Sequence, residues 1–306
     1  MRALAAAPGA AAAPERHLRR IGIFVLLTGL FSAPFWWLHA RTGYGAYIAL
    51  LMWCPGIAAA ATLGLTGGKL SELGWRGAPL RYVALGWAVP LLGLSLAYAL
   101  VCVLGKASFP EPRFLARAAQ AMGMSDAPLP IILLAQAGIA ATVGPINFGG
   151  RALGEELGWR GLLVPEACAA FGFVPGALVS GAVWGLWHFP LLIGHASFTE
   201  MVNFVVLVIG ISVGFAWLRL KSHSIWPSTL WHGTHNAFRD LFLNPLTLST
   251  AAGRWWLDET GYSLALLGGC VAALFIALHR RDARNATAER LKIQRAQTMP
   301  RIGSRP

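Results

Sequence analysis

The chain is a succession of long apolar stretches, and their length restricts the fold more than any other feature. They lie at about 21–39, 44–65, 80–104, 131–165, 172–194, 201–220, 225–243 and 262–279, each near or above the ~20 residues a helix needs to cross a bilayer. Unpaired backbone groups are too costly in lipid for other designs. The pattern therefore predicts an all-α polytopic membrane protein with about eight transmembrane helices. Composition agrees: 56% of the 306 residues are hydrophobic and 12% charged, where ordinary soluble domains carry about 25% charge. The fourth stretch is too long for one simple span. It contains GPINFGG at 144–150, where a kink or a break into two half-helices is expected, which leaves seven or nine spans as alternatives.

Three parts follow from this pattern: a disordered cytoplasmic tail at 1–20, a transmembrane domain at 21–279 and a basic cytoplasmic tail at 280–306. The formal charge of +12 comes from 25 Lys and Arg spread over connectors and tails. No basic face with interleaved aromatics is present, so nucleic acid is not an expected partner. Basic residues gather at the amino-terminal tail, around Lys69, Arg76 and Arg81, at Arg219 and Lys221, and throughout the carboxyl tail. With eight spans these all fall on one side, which places both termini in the cytoplasm, with the tails against anionic lipid. Lys106, Arg113 and Arg117 oppose this modestly. Cys54, Cys102, Cys168 and Cys270 occur singly in apolar surroundings, which suits small core residues rather than disulfides or a thiolate metal site.

Ionisable groups inside spans are few and each needs a partner or a function. They are Arg151, Glu155, Glu156 and Arg160 in the fourth stretch, His188 in the fifth, and His232, His235, Arg239 and Asp240 in the seventh. Glu156 and Arg160 stand four apart in the favourable order for a same-face pair. Glu155 projects about 100° away, toward a different surface, with Arg151 as its alternative partner. In WHGTHNAF, His232, His235 and Asn236 form a compact polar face. Measured from the expected cytoplasmic span ends, Glu155, His188 and His232 lie roughly 15 to 21 Å deep. Together they would make a buried, water-activating polar site. A desolvated carboxylate serves as general base, and imidazole and carboxamide donors stabilise an oxyanion.

EELGWR (Glu155 to Arg160), WGLWH (Trp184 to His188) and HGTHN (His232 to Asn236), in that order on successive helices, resemble the EExxxR, FxxxH and HxxxN motifs of the CPBP family. These are the CAAX-protease and bacteriocin-processing intramembrane proteases related to the Rce1-type enzymes. The resemblance covers about residues 130–245, and Trp184 stands where the second motif usually has Phe. It implies peptide-bond hydrolysis within the membrane. Glu155 and His188 would activate water, His232 and Asn236 would bind the oxyanion, and Glu156 with Arg160 would support the site.

Glu155, His188 and His232 also have the composition of a His₂Glu zinc site, although no HExxH is present. Zinc and a metal-free glutamate mechanism both stay open, the latter preferred. A non-catalytic immunity or scaffold protein is the competing reading. A proton-coupled carrier would also retain buried Glu and His, but no matching interrupted spans in two halves support it. The Ala, Gly and Arg usage suggests a bacterial cell membrane and a membrane protein or peptide as substrate rather than a prenylated one.

Overall fold

The computed structural model describes residues 12–298, which are helical except for a two-residue ladder and short connections. The first helix, α1 (Ala12–Thr42), starts upstream of its apolar stretch. Residues 12–20, expected in a disordered tail, are its first turns. Arg20 explains the difference: its Nη1 lies 2.9 Å from Glu72 and 2.7 Å from Glu166, which ties the start of α1 to the bundle. The expectation for residues 1–11 lies outside the described residues.

The second stretch is bent into α2 (Ala46–Leu51) and α3 (Cys54–Leu65), with Pro55 at the start of α3. A proline fits there because the first helical turn needs no intrahelical N–H. After α4 (Leu80–Val103) come β1 (Ala107–Ser108) and the amphipathic α5 (Pro112–Ala121). The sixth helix, α6 (Leu129–Glu156), runs unbroken through GPINFGG, with Pro145 inside it. The break allowed there by sequence is absent because α11 (Trp226–Phe238) packs tightly along this segment. A Cβ added at Gly144 would stand 2.7 Å from that of Ala237, and one at Gly233 would stand 2.9 Å from the Pro145 carbonyl. The irregularity comes later, where Leu157–Leu163 forms a π-helical segment before α7 (Val164–Phe171).

The remaining elements are α8 (Phe173–Trp187), α9 (Phe189–Leu192), α10 (Phe198–Ser222), a π-helical turn at Arg239–Leu243, α12 (Asn244–Leu246), β2 (Leu248–Ser249) and α13 (Tyr262–Thr298). Strands β1 and β2 pair antiparallel, Ala107 opposite Ser249.

Among the described residues, six helical segments are long and apolar enough to cross a membrane, rather than eight. The stretches expected at 172–194 and 225–243 form helices of 15 and 13 residues. Helix α8 lies against α7 and α10, and α11 against α4 and α6. Protein rather than lipid surrounds their polar residues, so neither needs a full-length apolar face. The protein is thus an all-α polytopic integral membrane protein with two short inner helices. Its core is filled by fully buried Trp159, Trp231, Phe215 and Phe275. Helices α10 and α13 cross so closely that a Cβ at Gly210 would stand 2.2 Å from the Gly268 carbonyl oxygen.

Candidate active site

Both glutamates of the LGEELGWRG stretch sit at the last two positions of α6, where it passes into the π-helical segment. The glycines of the stretch decide how deep they lie. A Cβ at Gly154 would stand 2.6 Å from the Met52 carbonyl oxygen, and one at Gly158 2.5 Å from Pro55 Cβ. Only glycine lets this backbone press against the start of α3. Glu155 is 3% exposed and Glu156 not at all.

Glu156 makes the expected pair, accepting from Arg160 Nη1 at 2.9 Å. The Arg160 guanidinium also donates to Ser212 Oγ at 3.1 Å and lies 4.1 Å from the Trp184 ring centroid and 4.2 Å from that of Phe215. A cation held between two aromatic faces and a carboxylate is compensated without water.

Glu155 does not pair with Arg151, which is exposed and stacks over Phe148. Its Oε2 accepts from Trp184 Nε1 at 2.7 Å and more weakly from Trp159 Nε1 at 3.4 Å. His188 Nε2 lies 4.0 Å from Oε2, and His232 Nε2 3.8 Å from Oε1. The two glutamates were expected to serve separate surfaces. Instead they bracket one imidazole, because His232 Nδ1 lies 3.0 Å from Glu156 Oε1. A 100° separation on the helix is bridged by a ring whose two nitrogens face different ways.

The hydrogen bonds set the tautomers. His188 Nδ1 lies 3.0 Å from the Trp184 carbonyl oxygen, an acceptor only, so Nδ1 carries a proton, and in the neutral ring Nε2 presents a lone pair toward Glu155. His232 donates from Nδ1 to the Glu156 carboxylate, which makes its Nε2 a donor only in the doubly protonated ring. Rings close the environment: Trp184 lies edge-on to both His188 and His232, and Phe204 packs on His188.

These groups line one cavity of about 260 Å³, together with Asn236, His235 and apolar side chains of α2 and α10. Helices α6, α8 and α11 thus bring Glu155, His188, His232 and Asn236 to a common space. The polar face on α11 divides, however. His235 turns from Glu155 toward Glu259, 3.3 Å away in the connection before α13. Arg239 also contacts Glu259 and pairs with Asp240 at 2.7 Å. Burial alone would raise the Glu259 carboxyl, but Arg239 and His235 beside it hold it well below the usual carboxylate range.

Sequence reasoning missed Trp184 as the donor to Glu155, Ser212 as a partner of Arg160, and Glu259 as part of the cavity wall. Trp184 carried a usable signal, since it sits one turn before His188 and a buried indole N–H needs an acceptor. Ser212 and Glu259 carried none.

A zinc ion held by Glu155, His188 and His232 would need all three donors within about 2.0–2.2 Å of one point. Here the Oε2 facing His188 is already engaged by Trp184. Among the described residues, no group of three or more His, Cys, Asp or Glu side chains is arranged to hold a metal.

Residues 130–238 match the family described as Rce1-like, type II CAAX prenyl endopeptidase Rce1-like. By this match the segment is similar to the Rce1-like family. A relative, the CAAX prenyl protease 2 of Methanococcus maripaludis, is 27% identical over 97 residues, covering 28% of this chain and 36% of that protein. The similarity thus spans about a third of the relative's length. The Rce1-like segment is the one that supplies Glu155, His188, His232 and Asn236.

Proposed function

We propose that the chain is an intramembrane endopeptidase of CAAX-protease type, acting on a membrane-associated protein or peptide without a metal ion. The observation that carries this reading is the Glu155 carboxylate facing two imidazole Nε2 atoms, at 4.0 and 3.8 Å, on the wall of one cavity. Those separations leave room for a water molecule between the groups, at hydrogen-bond range of about 2.6–3.2 Å from each.

Glu155 takes one proton from that water as the hydroxide oxygen attacks the scissile carbonyl, and His188 Nε2 orients the water by accepting its other hydrogen. The carbonyl electrons move to oxygen. Asn236 and doubly protonated His232 donate to the resulting oxyanion. Collapse of the tetrahedral intermediate breaks the C–N bond, and Glu155 returns its proton to the leaving amine. The protonated form of His232 also balances charge, because two buried carboxylates otherwise face one guanidinium, that of Arg160. Trp184 fixes the carboxylate's orientation through its indole N–H.

The setting is a bacterial cell membrane with both termini cytoplasmic and the basic ends against anionic lipid, consistent with the charge distribution. A non-catalytic scaffold or immunity protein would have no need for an accessible carboxamide and two imidazoles on one cavity wall. The test compares membrane peptides from cells carrying the native chain with those from cells carrying Glu155→Gln at equal protein level. A substrate cleaved in the first and intact in the second supports the peptidase. Identical cleavage in both sinks it. Asn236→Ala should lower the catalytic rate on the order of 10²-fold with substrate binding nearly intact.

A further inference from the structure

The two ends of the cavity are built differently. On the side of the chain bearing Arg20, the residues that follow Glu155 seal it off: Glu156, Trp159, Arg160 and Leu163 have no exposed surface. The 66–79 connection is fastened over that end. Arg219 donates to the carbonyls of Glu72 and Arg160, both at 3.0 Å, and Trp226 Nε1 to that of Trp75 at 3.0 Å. Arg20 adds its pairs with Glu72 and Glu166.

The opposite end is open and polar. Arg151, exposed on α6, lines the cavity, and so do Asp240 and Glu259, whose side chains are 37% and 28% exposed. This is the end of the bundle that carries the β1–β2 ladder, following the last turns of α4 and preceding α13.

The connectors on the two ends differ in charge. The sealed end holds Lys69, Arg76, Lys221 and the Arg280–Arg281 pair with acidic Glu72 and Asp282 among them, whereas Lys106, Arg113, Arg117 and Arg254 on the open end are interspersed with the four acids Glu111, Asp126, Asp258 and Glu259. The basic end is the one retained in the cytoplasm. From these two observations we infer that the active-site cavity opens on the extracytoplasmic face, so that its substrate is a polypeptide whose scissile segment is displayed outside the cytoplasm or in the outer leaflet.

This inference rests on the peptidase reading for the word substrate, but the direction of access is independent of turnover. A cytoplasmic segment would meet the plug formed by the 66–79 connection. A segment on the other side reaches Glu155 past Arg151 and the apolar side chains of Ile48 and Leu207.

The test uses the full chain in right-side-out and inside-out membrane vesicles, with a membrane-impermeant maleimide as probe. Labelling is read above that of the parent chain, which has its own four cysteines. Arg151→Cys should label in right-side-out vesicles only, and Lys69→Cys, on the sealed end, in inside-out vesicles only. Ile48→Cys is the second probe of the cavity should Arg151→Cys fail to fold. The same pattern is expected in a Glu155→Gln background, so loss of the peptidase reading would show separately, as unchanged substrate cleavage in that variant. Cavity positions labelled only in inside-out vesicles, in both orientations or in neither overturn the inference, as does labelling of Lys69→Cys from the outside.

Discussion

Two adjacent glutamates share an almost identical sequence context and have opposite assignments. Glu156 is fully buried, and its Oε2 has no hydrogen-bond partner among the described residues. Its stabilising role comes from Arg160 and His232 on the other oxygen. Glu156→Ala strands the Arg160 guanidinium, and breaking such a buried pair costs about 3–5 kcal/mol. A lowered melting temperature and folded yield in detergent are expected, whatever substrate is supplied. Glu155→Gln keeps size and retains an acceptor for Trp184, so thermal stability should stay near that of the parent while hydrolysis falls by about 10²-fold or more. Equal stability losses in the two variants would show that both carboxylates are structural. Trp184→Phe restores the aromatic usual in the family motif but removes the 2.7 Å bond to Glu155. A reduced rate is the expected result, with a loss of melting temperature smaller than that of Glu156→Ala because the ring over Arg160 is kept.

At the scale of elements, the site depends on how closely three helices approach. The π-helical segment Leu157–Leu163 follows Glu156 directly and carries Arg160, so any change there moves both the ion pair and the orientation of Glu155. Gly158 is the sensitive position, because an added methyl would meet Pro55 Cβ at 2.5 Å and its carbonyl group at 2.7 Å. Overpacking of this kind costs typically about 1–3 kcal/mol. Gly158→Ala should therefore lower thermal stability and activity together, while the exposed, helical Gly150→Ala, with open space around its Cβ, should lower neither. The sequence located the stretch and its ion pair. It placed the irregularity at GPINFGG instead, since proline and glycine look alike whether a helix is broken or tightly packed.

For the molecule as a whole, the connection before α13 folds back onto the cavity through Glu259, which faces Arg239 and His235. With the Glu259 carboxyl held below its ordinary value, its contribution to stability is fully present above that value and is lost as pH falls through the depressed one. The difference in melting temperature between the parent and Glu259→Gln should thus shrink on acidification from about pH 6 to about pH 3. A difference independent of pH would mean that Glu259 acts by packing rather than charge. The 66–79 connection is fastened at the other end by a similar device, with Glu72 also held low: burial opposes, and the Lys69 backbone amide and Arg20 outweigh it.

Apolar stretch length by itself determined the all-α membrane architecture, because lipid leaves the backbone no other way to satisfy its hydrogen bonds. Helical spacing likewise determined the Glu156–Arg160 pair, whose partners are four residues apart. What the sequence could not determine is anything set by contacts between distant segments. That α8 and α11 are too short to count as spans follows from their being wrapped by neighbouring helices. That His232 sits between both glutamates follows from the packing of α11 on α6. That Arg20 draws the supposed tail into α1 follows from two acids, 52 and 146 residues away. Local patterning fixes which groups are costly to bury, and only the tertiary structure decides which distant partner compensates each of them.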